Sequence, residues 1–289
     1  MPVKELLMRK TNWLQQILTQ ISLLVIGLYV MVPIWGAIRL AFDGSLKSRP
    51  VEFRLFPKEL SLKPFLSVLD RPYQSVDFVD LLKNSLIVSL GAALIALVLG
   101  ASLAYAFARY RFPGRKPALF VLLFAAMLPP VAFMTPLYIV LSMVQLRTTL
   151  LGLTLVYVTF ALPFCIWNMR AGFQSVAKEL EEAAFLDGAN SLQTFWFVSL
   201  PLSLPSITIA GLIAFLMGYS EFAMGWLFVS NAETVTLAMS IYAMVQSGNA
   251  QPWSILASMF IIMSIPIVIV FAVLQNTLLD RMLFVSQKK

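Results

Sequence analysis

Between Ser175 and Asn190 four carboxylates, Glu179, Glu181, Glu182 and Asp187, face a single cation, Lys178. Acidic residues grouped in this way can transfer protons, hold a metal or offer charge to a partner. A His-assisted proton transfer and a His-containing metal site need companions that the chain lacks. It has no histidine, and its one cysteine, Cys165, lies inside an apolar run and reads as a small core hydrophobe. A Ser/His arrangement, a His-containing metal site and a disulfide framework are therefore excluded. No Gly-x-x-x-x-Gly-Lys-Ser/Thr loop is present either, so there is no recognisable cradle for ATP phosphates.

The spacing in this stretch predicts two short helices joined by a turn. Ser175 is the expected N-cap, the acidic residues fall in the early turns, and Leu180, Ala183, Ala184 and Asp187 recur at intervals of three and four on one face. Gly188 suits a C-cap at the corner, and Pro201 and Pro205 close the second helix. The paired alanines admit close approach of another surface, to which Glu182 and Asp187 offer charge. Two surroundings fit these features, the lipid interface and a protein partner. The acidic excess favours the protein, because anionic lipid repels it.

The elements that carry this segment are membrane helices. The chain is 60% apolar and 12% charged over 289 residues, against about 45–50% and 25% in soluble domains. Six apolar runs, at about 17–42, 84–108, 118–143, 150–170, 206–230 and 253–276, each reach the length that crosses a bilayer. An all-α integral membrane protein with about six transmembrane helices is the expected fold. The first run follows a polar start (Lys4, Glu5, Arg9, Lys10) but is too long for a signal peptide and is expected to be retained. Pro33, Pro129, Pro130, Pro136, Pro163 and Pro266 fall inside runs, where kinks are expected.

The net charge of +7 sits in short basic clusters beside apolar runs, which suits membrane orientation and contact with lipid but not nucleic-acid binding. With both termini cytoplasmic, nine of the 21 basic residues lie outside, eight of them between Arg39 and Lys83 in one long loop. Long loops translocate largely regardless of charge, so the short loops favour that orientation. The expected organisation is a cytoplasmic start (1–16), a single transmembrane domain (17–276) with a cytoplasmic loop at 171–205, and a cytoplasmic tail (277–289).

Other candidates are thinner. Glu221 is the one acidic residue within a run, and an ionisable group there is a functional candidate by default. Its place near the run's end suits a headgroup-level or packing carboxylate better than a solute path. Tyr138 and Tyr219 fit a solute path by chemistry and interfacial anchors by position. Asn168, Gln275 and Asn276 are expected to bond between helices. Residues 231–252, uncharged except for Glu233, read as a re-entrant or interfacial stretch.

The run Glu182-Ala183-Ala184, three residues, Gly188, nine residues, Val198, one residue, Leu200-Pro201 resembles the EAA loop of permeases in binding-protein-dependent ABC importers, with Val198 where isoleucine is usual. Asn84-Ser85-Leu86, Ala104-Tyr105-Ala106, Arg111 through Lys116, Pro136-Leu137-Tyr138 and Ala161-Leu162-Pro163-Phe164 extend the likeness to the carbohydrate branch, above all to the smaller permease of maltose-type systems. The resemblance implies a type I ABC importer permease fold in a bacterial or archaeal inner membrane. It further implies that Glu182, Ala183, Ala184, Asp187, Gly188, Leu200 and Pro201 couple the chain to a partner ATPase, and that Tyr138, Tyr219 and Glu221 are candidates for the solute path.

Implied partners are a second, non-identical permease, two ATPase subunits and an extracytoplasmic solute-binding protein. No cofactor is expected in this chain, and ATP and magnesium are expected in the ATPases. Two departures stand out: Tyr219-Ser220 precedes Glu221 where relatives often have Trp-Asn, and the end from Arg281 to Lys289 lacks the Gly-Ala-Val-Lys-Gly tail of many. A gradient-driven transporter is the main alternative, but such proteins converge several carboxylates at the midplane and only Glu221 is available. A membrane enzyme lacks the residues for its chemistry.

Overall fold

The computed structural model describes residues 13–46, 50, 52, 54–70, 73, 76–246 and 252–287, with 276–287 as backbone only. The basic start through Lys10, the pair Lys288 and Lys289, and positions 247–251 of the 231–252 stretch lie outside the described residues, as do the side chains of Asn276 and Arg281. Among the described residues four helices are long and apolar enough to cross a membrane: α1 (Trp13–Ala41), α3 (Phe78–Arg109), α6 (Leu150–Ser175) and the greater part of α13 (Trp253–Gln287). Shorter helices fill the intervals: α2 (Lys63–Asp70), α4 (Arg115–Met127), α5 (Val131–Met143), α7 (Lys178–Leu186), α8 (Ser191–Thr194), α9 (Leu200–Leu202), α10 (Leu204–Ser220), α11 (Gly225–Phe228) and α12 (Leu237–Gln246).

Two of the six apolar runs are not straight spans. The third breaks between α4 and α5 with a bend of 102°. Pro129 and Pro130 have no N–H to continue the helix, and Leu128 before them takes the extended conformation (φ −71°, ψ 138°) that a following proline favours. Pro33, Pro136, Pro163 and Pro266, by contrast, stay inside continuous helices. The fifth run stops as helix at Ser220, short of the expected 230, and is preceded by a 77° bend from the segment Ser191–Leu202. The last run continues as helix to Gln287, past the expected 276.

The chain divides into two compact units. One comprises residues up to Ser67 together with Ala250–Ile261. In it α1 is exposed along its length as far as Trp35, and an apolar helix without a buried face needs lipid or another helix around it. Past its end, the fully buried Asp43 accepts hydrogen bonds from the Ser45 hydroxyl (2.6 Å) and the Lys58 N–H (3.1 Å), with the Arg39 guanidinium at 3.5 Å. Burial pushes this carboxyl up, but the donors outweigh it and hold it below its ordinary value.

The second unit comprises Val68–Asn249 and the rest of the chain from Ile262. Its centre is the mutual packing of α3, α6 and α10. The middle of the face that α3 buries is rich in small residues, Ser89, Ala92, Ala93, Ala96, Gly100, Ala101 and Ala104, with larger side chains such as Leu81 and Tyr105 toward its ends. Without a hydrophobic force between helices in lipid, such faces gain dispersion contacts by letting backbones approach. At Gly218 of α10 an added Cβ would sit 3.1 Å from the Cα of Ser89. Cys165 is fully buried here, as a core hydrophobe should be.

Candidate functional site

The two short helices expected after α6 are present, with different ends. Ser175 is not an N-cap: α6 runs through it, and its hydroxyl donates to the Gly172 carbonyl at 2.7 Å. The cap of α7 is Ala177, which contributes no side-chain bond, and Glu179 and Glu181 in the first turn complement the helix dipole instead. The corner is built as the sequence requires. Gly188 has φ 91°, its N–H reaches the Phe185 carbonyl (3.0 Å), and the Ala189 N–H reaches that of Ala184 (2.9 Å), a Schellman closure that a Cβ would strain.

Asn190 and Gln193 then start α8 with a reciprocal capping box, Gln193 N–H to Asn190 Oδ1 at 2.9 Å and Asn190 N–H to Gln193 Oε1 at 2.8 Å. Between α8 and α9 the chain widens into a π-helical turn, Phe195–Ser199. The ring of Pro201 crowds the carbonyl four residues earlier, and a wider turn upstream relieves that contact.

Of the residues expected to dock, Glu182, Ala183, Asp187 and Gly188 are exposed, while Ala184, Leu200 and Pro201 are half-buried. Leu180, grouped with them by periodicity, is 49% exposed, so the face predicted from spacing points outward. The buried side of α7 is made instead by Glu181, at 6% exposure. Its Oε1 accepts from Arg109 Nε at 2.8 Å and from the Ser199 hydroxyl at 2.5 Å. Arg109, the last residue of α3, also donates through Nη2 to the Val176 carbonyl at 2.9 Å.

Aromatic rings close this site from below: Tyr105 lies 5.4 Å from Phe173 and 4.9 Å from Phe195, and those two are 6.0 Å apart. Both side chains of the ion pair are 8% exposed. Removing one partner from a pair buried to this degree strands the other charge, at a cost of about 3–5 kcal/mol. In the sequence Glu181 is one of four neighbouring carboxylates and Arg109 directly follows the second apolar run, and nothing there pairs them. The two are 72 residues apart, and no local period connects them.

The candidates for a solute path do not converge. Tyr219 is fully buried, stacked on Phe215 at 5.3 Å, and its hydroxyl donates to the Met263 carbonyl at 3.1 Å. Glu221 is half-buried and accepts from the Tyr157 hydroxyl (2.8 Å) and the N–H groups of Met224 (2.9 Å) and Gly225 (3.2 Å). Glu221 is itself the extended residue (φ −76°, ψ 135°) at which α10 ends. Tyr138 is half-buried beneath the Arg147 guanidinium, 5.2 Å from its ring centre. Asn168, expected to bond between helices, has its buried Oδ1 without a partner among the described residues. Among the described residues no cluster of three or more Cys, Asp or Glu is placed to hold a metal.

Residues 82–284 match the family described as "Binding-protein-dependent transport system inner membrane component". The chain is 31% identical over 260 residues, 83% of its length and 95% of the relative's, to the trehalose transport system permease protein SugB of Mycobacterium tuberculosis. It is 25% identical over 263 residues (91% and 92%) to the maltodextrin transport system permease protein MdxG of Bacillus subtilis. It is also 27% identical over 259 residues (89% and 91%) to the diacetylchitobiose uptake system permease protein DasC of Streptomyces coelicolor.

A crystal structure of a bacterial ABC transporter that imports the acidic polysaccharide alginate contains a chain of the same fold, with TM-score 0.72 at 19% identity over 92% of this chain and 98% of that one. Nothing among these relatives supports the gradient-driven transporter or the membrane enzyme. With a helix core of membrane-spanning length and a match over most of its residues, the chain belongs to the family of inner-membrane components of binding-protein-dependent transport systems.

Proposed function

We propose that this permease imports a carbohydrate, forming half of the path with a second, non-identical permease, and that residues 176–201 are its coupling segment to two ATPase subunits. The observation that carries the coupling role is the two-sidedness of α7: Glu182, Ala183 and Asp187 are bare while Glu181 beneath them is tied into the helix core. A segment that passes force between subunits needs a free face for the partner and an anchored one for its own chain. The carbohydrate class rests on the trehalose, maltodextrin and diacetylchitobiose systems of the relatives, and an extracytoplasmic binding protein is expected to deliver the solute.

In this reading the coupling segment and both termini are cytoplasmic, the start (1–16) and the tail (277–289) included, and Leu200 and Pro201 close the segment where it rejoins α10. ATP and magnesium act in the ATPases, whose closure moves the segment and opens the permease pair toward the receptor; hydrolysis resets the inward-facing state. Glu221 and Tyr219 serve packing at the far end of α10, and Tyr138 is the remaining path candidate of the three. Glu182→Lys tests the central claim. The variant is expected to insert normally and to abolish solute uptake in cells or proteoliposomes; uptake at the normal rate would remove the docking role.

A further inference from the structure

The coupling segment has a soft joint at each chain connection and a stiff one elsewhere. Toward α6 it is joined through Val176 and Ala177, both extended (φ −72°, ψ 127° and φ −60°, ψ 130°) and outside any helix. Toward α10 it passes through the π-helical turn and the 77° bend at Ser203. Neither connection is a continuous α-helix, the element that transmits displacement with least loss. Between the two joints the segment is gripped by α3. Arg109 takes the Glu181 carboxylate on α7 and the Val176 carbonyl at the first joint, and Glu181 in turn holds the Ser199 hydroxyl in the π-helical turn.

From these contacts we infer that the coupling segment drives α3 through Arg109, and that Arg109 and Glu181 are positioning residues of transport, acting through α3 and touching neither ATP nor solute. The inference rests on the reading of residues 176–201 as the coupling segment. Its physical basis is directional. A planar guanidinium fixed by two bonds to separate elements resists shear as a point-charge ammonium does not, and with both side chains 8% exposed little water reaches those bonds. The helix so gripped is 32 residues long and packs against both α6 and α10, so a displacement at its last turn is carried through the core. Arg170 adds a weaker brace between α6 and α3, donating to the Phe107 carbonyl at 3.4 Å.

The test is the number of solute molecules moved per ATP hydrolysed by the complete reconstituted complex with its loaded receptor. This ratio does not depend on how much complex survives purification. Arg109→Gln and Glu181→Gln are each expected to lower it by about tenfold, and the double variant Arg109→Gln/Glu181→Gln, whose amides can bond to each other, to recover to within roughly threefold of wild type. Ser199→Ala, which leaves the ion pair in place, is expected to lower it by about twofold and serves where a charge variant fails to assemble. An unchanged ratio in the single variants, or a double variant no better than either single, overturns the inference. If the coupling reading itself is wrong, Glu182→Lys transports normally; if only the grip on α3 is wrong, Glu182→Lys is inactive while Arg109→Gln keeps the wild-type ratio.

Discussion

The two ends of α3 are held in opposite ways. At its last turn Arg109 meets a carboxylate in a buried site, with one ion pair joining α3, α7 and, through Ser199, the π-helical turn. Near its start Asn84 donates to the Glu233 and Val235 carbonyls (2.6 and 3.0 Å) and the Ser85 hydroxyl accepts the Leu237 N–H (2.8 Å). Glu221, the carboxylate that follows α10, has no cation against it among the described residues, only a tyrosine hydroxyl and two backbone N–H groups. Neutral hydrogen bonds can be lost singly and cheaply, whereas half of a buried ion pair cannot. The Arg109 end should therefore fail as a block, and the Asn84 end by degrees.

Loss of Glu181 should give the largest effect. Glu181→Ala strands Arg109 and is expected to destabilise the chain by about 3–5 kcal/mol, seen as a lower temperature of aggregation for the detergent-solubilised complex. A change no larger than that of any variant at the other end would break the contrast. Next, Asn84→Ala removes two bonds to backbone carbonyls and should cost about 1–2 kcal/mol in the same assay. Tyr157→Phe leaves Glu221 its two N–H donors and should cost about 1 kcal/mol, sharpening the contrast if the loss is smaller still. A loss from Tyr157→Phe as large as that from Glu181→Ala would mean that Glu221 anchors its end as strongly as the ion pair does the other.

Local signals in the sequence served where the structure is local. Gly188 was assigned a corner because only a residue without Cβ tolerates the backbone there, and its φ of 91° bears this out. Proline positions marked where helices could bend, but not which would break: four stay within helices, and the adjacent pair at 129 and 130 makes the 102° turn. Periodicity grouped Leu180, Ala183, Ala184 and Asp187 correctly on one face and left open whether that face was buried. The Ser175 cap failed because packing of Gly172 and Phe173 carries α6 past it, tertiary contacts outweighing a cap.

The amino-acid sequence by itself determined that the chain lives in a membrane, because runs of about 20 apolar residues have no other solvent that suits them. It also set which side chains of α7 share a helix face, since short-range spacing decides that. The partners of Glu181 and Glu221 were decided only by tertiary structure. Glu181 and Arg109 meet across 72 residues, and Glu221 and Tyr157 across 64. Whether a carboxylate becomes a clamp or a cap depends on which helix the packing of α3, α6 and α10 brings alongside it, and no local period encodes that.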